Sequence, residues 1–196
     1  DRTRLGLRAV LQSLEHLEQY STIALYSAMA VYAIAFVFFV VDLANRSGDG
    51  GGALPETDAK GRVVVRSRSL RIGFALTVLG FALHLAATLL RGIAAGRVPF
   101  SNMYEFSLTA TTAIIAIFIL TQFFVDVRFL GALVTGMTVL FLGVTKVNFY
   151  REIVPLPPAL DTYWLVIHIL VAVLAVGFLT LSFGLSVLQL MQTRRE

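Results

Sequence analysis

Apolar residues in this chain gather into long unbroken runs instead of alternating with polar ones. Five runs stand out: Tyr20–Val41, Ile72–Leu90, Phe106–Val125, Phe129–Thr145 and Tyr163–Met191. A helix rises about 1.5 Å per residue and the hydrocarbon core of a bilayer is about 30 Å thick, so runs of this length cross it as helices. A membrane barrel would show short alternating strands instead. Only Asp126-Val127-Arg128 separates the third run from the fourth, which predicts a tight antiparallel hairpin. The fifth run carries no charge and is longer than the bilayer requires, so it must tilt or protrude. No internal repeat is evident.

The flanks of these runs are different. Ahead of the first, Leu7, Val10, Leu11, Leu14 and Leu17 recur at helical spacing with Arg4, Arg8 and Glu15 between them. That pattern predicts an amphipathic helix lying on the membrane over residues 1–19. Residues 20–196 then form the transmembrane bundle, interrupted by a flexible loop over 46–69 whose glycine-rich stretch Ser47–Gly61 shows no packing signal. The expected fold class is all-α: a multi-pass transmembrane helical bundle of about five spanning helices plus an N-terminal amphipathic helix.

Composition agrees with the pattern. Of 196 residues 57% are hydrophobic and 14% charged, with a mean hydropathy of +0.80, outside the range of a soluble domain. The net charge of +4 is spread over loops and not gathered into a stripe, which argues against nucleic-acid binding. Zero cysteines exclude disulfides, thiolate metal sites and a thiol relay by this chain. Arg46, Lys60, Arg62, Arg66, Arg68, Arg71, Arg128, Arg194 and Arg195 fall on one side of the predicted topology. The excess of basic residues places that side in the cytoplasm, so the N-terminus and the loops 91–105 and 146–162 face the exterior of the plasma (inner) membrane.

Two of the three histidines lie within spans. His84 falls below the outer end of the second, where an ionisable group should face the bundle interior, either hydrogen-bonded to a neighbouring helix or ligating a metal or haem. His168 follows the lone tryptophan, Trp164, by four residues, so both fall on one helical face near the membrane surface. Pro157 and Pro158 fix an extended approach to that helix and Asp161 can cap its first turn. A ligand site and simple interfacial anchoring by Tyr163 and Trp164 both fit this pattern. His16 lies in the amphipathic segment and is read as solvated. In the first exterior loop, Asn102 and Glu105 have the spacing of a capping box, and Glu105 can also hold its charge against Arg91 or Arg97 beside a ligand surface.

Two motifs carry a resemblance. Gly96-Arg97-Val98-Pro99-Phe100-Ser101-Asn102-Met103-Tyr104-Glu105 after one histidine-bearing span, and Pro158-Ala159-Leu160-Asp161-Thr162-Tyr163-Trp164-Leu165-Val166-Ile167-His168 at the start of another, resemble the CcsA/ResC family of cytochrome c biogenesis proteins, often called CcsB in actinobacteria. The similarity runs from about Tyr20 onward, and the two motifs in this order are more specific than either alone. The resemblance implies system II haem handling: with a ResB-type partner, haem is delivered to the outer face and attached to the CxxCH motif of apocytochrome c. His168 matches the first of the family's two external haem-ligating histidines, so it is the implied metal ligand. Trp164 and His84 join it as candidate cofactor-binding residues, with no catalytic residue assigned. The family's tryptophan-rich segment, its second external histidine and its intramembrane ligand would lie beyond Glu196. The expectation is therefore the N-terminal part of such a protein, with transient b-type haem incompletely ligated by this stretch. Holocytochrome c synthase (haem lyase) activity would belong to the complete complex. A b-type cytochrome subunit with haem between His84 and His168, or a structural or transport subunit of the membrane, is the alternative.

Overall fold

The computed structural model describes residues 2–47, 55–57, 63–65, 67–154 and 162–193. Its architecture is a bundle of five helices: α1 (Arg2–Ser47), α2 (Arg68–Ala95), α3 (Met103–Thr121), α4 (Gly131–Asn148, preceded by a 3₁₀ turn at Arg128–Leu130) and α5 (Tyr163–Thr193). All five are long and apolar enough to cross a membrane, which makes this a multi-pass membrane protein.

Each predicted run lies on a helix, and the differences are at the edges. α1 is one uninterrupted helix of 46 residues, about 69 Å long, covering both the amphipathic stretch and the first span. No break separates the two, so the expected surface-lying helix is an extension of the spanning one. The segment expected to be a structureless loop carries a short antiparallel ladder, with Pro55, Glu56 and Thr57 opposite Val65, Val64 and Val63. The Asp126–Arg128 turn forms as expected, closed by an Arg128 Nη2 to Asp126 Oδ2 contact of 2.6 Å.

A seven-residue rhythm unites α1 and α2. Among the described side chains of α1, Ser21, Leu25, Ala28, Tyr32, Ala35, Phe39 and Asp42 are buried, at alternating spacings of four and three. Those of α2 include Leu70, Gly73, Thr77, Gly80, His84, Ala87, Arg91 and Ala94, at spacings of three and four. This is the seam of a coiled coil, a periodicity hidden in the sequence because the apolar residues around it continue on every face. Along α2 every seventh residue of one row is small: Gly73, Gly80, Ala87 and Ala94. Large α1 rings fill the space this leaves. A Cβ on Gly80 would stand 2.7 Å from the Tyr32 ring, and one on Gly73 would stand 3.3 Å from Phe39. The α1–α2 pair is the most extensive helix contact in the bundle.

α3 lies at the centre and α5 at the edge. α3 packs against α2, α4 and α5, whereas α5 rests on α3 and only lightly on α4. The buried residues of α5 form one narrow stripe, Val173, Gly177, Leu181 and Gly184. Gly177 lets α5 close onto Ile117, where any Cβ would collide, and a Cβ on Gly184 would stand 3.0 Å from Leu130 and Leu133.

Candidate functional site

Polar chemistry in this apolar bundle concentrates at the end where α1 begins its span, α2 meets α3, and α4 ends. Arg91 is 1% exposed, and its guanidinium reaches three elements. Nη1 donates to Glu18 Oε1 on α1 at 2.6 Å, Nε to Glu105 Oε1 on α3 at 3.3 Å, and Nη2 to the carbonyl of Arg151 beyond α4 at 2.6 Å. A planar fork of five donors suits this task better than an ammonium would. Removing one partner from so enclosed a pair would leave a buried charge alone, at a cost of about 3–5 kcal/mol.

Glu105 is fully buried. Its Oε2 accepts from Arg97 Nη1 at 2.8 Å, Ser101 Oγ at 2.9 Å and the Ser101 amide at 3.0 Å. Its own amide donates to Asn102 Oδ1 at 2.9 Å, so Asn102 caps α3 as the spacing predicted. The reciprocal half of the capping box is replaced, because the carboxylate turns to Ser101 and the two arginines. Glu105 thus sits in the first turn of α3 with its amide capped by Asn102, while its carboxylate is held against Arg91 and Arg97. Gly96, in the left-handed region at φ 63°, ends α2 and turns the chain back so that Arg97 can reach Glu105.

Aromatic rings complete this end. Lys146 Nζ stands 3.7 Å from the centre of the Tyr150 ring and 5.6 Å from those of Tyr26 and Tyr104, a cation held against π faces. Tyr150 donates its hydroxyl to Glu18 at 2.9 Å. Burial and this bond to a carboxylate both raise the Tyr150 pKa above the ordinary tyrosine value, so the phenol stays protonated and donating. Sequence reasoning assigned no role to Glu18, Tyr104, Lys146 or Tyr150. Tyr104 stood inside the Gly96–Glu105 motif without a role of its own, and the signal for the others was a carboxylate ahead of the first run and a lysine and tyrosine just past the fourth, a pattern that says nothing about mutual contact.

The two histidines of the spans part company. His84 is fully buried between α1 and α3, with Nδ1 3.5 Å from Tyr32 Oη and Nε2 3.5 Å from Thr111 Oγ1. Its ring meets Tyr32 edge-on at a centroid distance of 6.0 Å. One turn further along α2, Thr88 and Thr112 touch at 3.0 Å while each also reaches a carbonyl of its own helix. His168 lies nine residues from Gly177, about half a turn round from the buried stripe of α5, and is exposed. Trp164, 65% exposed, shares that outer face and leans on Tyr163 with ring centres 5.4 Å apart. One histidine faces into the bundle and the other away from it. They do not converge, which removes the geometry that a shared bis-histidine haem between spans two and five requires. Asp161, expected to cap α5, lies outside the described residues. Thr162 occupies a capping position, its hydroxyl 3.4 Å from the Leu165 amide.

An exposed imidazole on the same helical face as an exposed indole would offer a nitrogen ligand and an apolar surface, a donor set that fits one side of a haem. No group of three or more acidic or histidine side chains suited to a bare metal ion occurs among the described residues.

Known proteins resemble part of the chain. The cytochrome C assembly protein family matches residues 100–196, from the Asn102–Glu105 cap to the end of α5. Among curated proteins, the cytochrome c biogenesis protein CcsA of Trieres chinensis is 30% identical over 109 residues, covering 54% of this chain and 35% of that one. CcsA of Synechococcus sp. (strain JA-3-3Ab) is 34% identical over 124 residues, or 61% and 36% of the two chains. CcsA of Guillardia theta is 25% identical over 128 residues, or 64% and 42%. The chain thus spans well under half the length of these relatives. With five spanning helices, a polar cluster built on the first motif, and His168 on the second, the chain is similar over residues 100–196 to the cytochrome C assembly protein family, and among curated proteins to CcsA.

Proposed function

We propose that this chain acts in cytochrome c biogenesis, as the part of a CcsA-type protein that presents haem at the outer membrane face. The observation that carries this reading is the exposed pair Trp164 and His168 on the face of α5 turned away from the bundle, within the stretch that matches the family. An imidazole on the lipid-facing side of a spanning helix is costly unless something covers and uses it. Haem does both, because its iron takes nitrogen and its ring takes apolar contact.

On this reading the neutral imidazole of His168 is the iron ligand on this chain, and Trp164 stacks beside it. His84 serves the site from within: it ties α1, α2 and α3 together and does not reach the iron. When bound, haem supplies the vinyl carbons to which the thiols of a CxxCH client add. The chain's own task is to hold and orient that cargo so that proximity does most of the work. Having no cysteine, the chain cannot compete for haem with the client's thiols. A ResB-type protein, apocytochrome c and membrane lipids are the proposed partners, and the complete complex would carry the haem lyase activity. The end bearing the Arg91–Glu105 cluster is assigned to the exterior of the plasma membrane, following the distribution of basic loop residues.

The test is His168→Ala in the full-length protein with its partner. Haem absorbance in the purified complex and covalent cytochrome c in the cell should both fall to background. Haem content equal to that of the parent protein would sink the assignment.

A further inference from the structure

The ionic cluster does more than neutralise itself. Both of its arginines divide the guanidinium between carboxylates and the backbone of one short segment: Arg91, already on Glu18 and Glu105, donates from Nη2 to the Arg151 carbonyl at 2.6 Å, and Arg97, already on Glu105, donates from Nη2 to the Val154 carbonyl at 3.1 Å. Tyr150, at the head of that segment, is tied to Glu18. Residues 150–154 belong to no helix or strand, so these long-range bonds replace the backbone ladder that would otherwise hold them.

The segment leads toward α5, and α5 is otherwise weakly located. Its contacts with the bundle are apolar and small-residue contacts along one stripe, and among the described residues no side-chain hydrogen bond joins it to another helix. That stripe fixes which face of α5 meets the bundle, but it runs only from Val173 to Gly184 and leaves the His168 end of the helix without a fully buried residue. The hydrogen bonds to residues 150–154 are directional.

We propose that Arg97 and Arg91, held in place by the buried Glu105, are positioning residues that pin the Tyr150–Val154 segment and so set where α5 presents His168. This rests on the reading of His168 as a haem ligand. Arg97 is the member to test, since it is only partly enclosed while Arg91 and Glu105 are integral to the bundle. Neither arginine touches the haem face.

The experiment uses the full-length protein with its partner in its native membrane, comparing Arg97→Ala, Arg97→Lys and His168→Ala. Arg97→Ala should insert and accumulate normally yet lose haem per protein by about tenfold, the scale seen when a supporting shell around a metal ligand is removed. Added imidazole, which can ligate iron without a well-placed His168, should restore haem absorbance. Arg97→Lys keeps the charge but cannot span Glu105 and the Val154 carbonyl together, so it should remain impaired. A further variant, with two glycines inserted after Val154, keeps every residue of the cluster and only lengthens the tether; it should show the same imidazole-reversible loss, even should Arg97→Ala fail to accumulate. If His168→Ala removes haem while Arg97→Ala and the glycine insertion both retain the parental haem content, the positioning role is overturned and the haem reading stands. Full recovery in Arg97→Lys would also overturn it, by reducing the role to charge. Retention of haem in His168→Ala would overturn both.

Discussion

His84 and His168 are the same side chain in two opposite settings. His84 sits on the central seam of the bundle with a hydroxyl at each ring nitrogen; His168 sits on the outer face of the least enclosed helix, and its side chain makes no hydrogen bond to the described residues. The first has its donor and acceptor capacity used within the fold, so its removal should be felt as lost stability. The second keeps its capacity open to what lies outside the five helices. In an apolar environment an unused imidazole is a liability, and that difference makes His168 the better candidate for ligand chemistry.

The comparison breaks most directly on the histidines themselves. His84→Ala should destabilise the bundle by about 2–4 kcal/mol, from the cavity it leaves and from the buried Tyr32 hydroxyl it strands, while Thr111 keeps its bonds to backbone carbonyls. His168→Ala should change stability by no more than about 0.5 kcal/mol, as expected of an exposed position. Thermal unfolding of both variants in the same detergent checks the contrast. Equal losses would show that the outer face contributes as much to the fold as the seam does.

The seam can be probed one step away from the histidine. Gly80→Ala forces a methyl group against the Tyr32 ring, which must move and weaken its contact with His84. A loss of about 1–3 kcal/mol is expected, the usual penalty of overpacking. Because α5 makes little contact with α2, the exposed side of α5 should keep its accessibility to labelling at an engineered cysteine in that variant. Altered labelling there would mean that the two regions are coupled.

The smallest effect expected is electrostatic. Tyr150 is held protonated by burial and by Glu18, so its phenolate should form above the ordinary tyrosine range. The group's pKa is higher in the folded state than in the unfolded state. Its contribution is therefore complete below the unfolded value and fades as pH rises through the folded one. The difference between the phenolate absorbance titrations of the parent and Tyr150→Phe should place this group above the ordinary tyrosine value. A normal midpoint would remove Tyr150 from the cluster.

Some of this was legible in the chain itself. Glu105 could be seen as both a helix-start residue and a charge partner for Arg91 or Arg97, because capping spacing and the scarcity of charge near a span are local facts. The pairing of Trp164 with His168 is equally local, four residues apart on one helix. Less legible was the seven-residue row of small residues on α2, which is written in the sequence but gains meaning only against the rings of α1. Glu18, Lys146 and Tyr150 were illegible for a stronger reason. Glu18 and Tyr150 are 132 positions apart, and nothing local requires them to meet.

The sequence alone determined that five runs are able to cross a membrane as helices and, for all but the first helix, where each lies to within a turn or two. These follow from hydropathy, charge and capping, which act over a few turns of one helix. The tertiary structure decided which way each histidine faces, that three helices and a loop share one ionic cluster, and that this cluster reaches the segment leading to α5. Those outcomes depend on which helix packs against which, and apolar surfaces of similar length and composition do not distinguish among partners until their small and large side chains interlock.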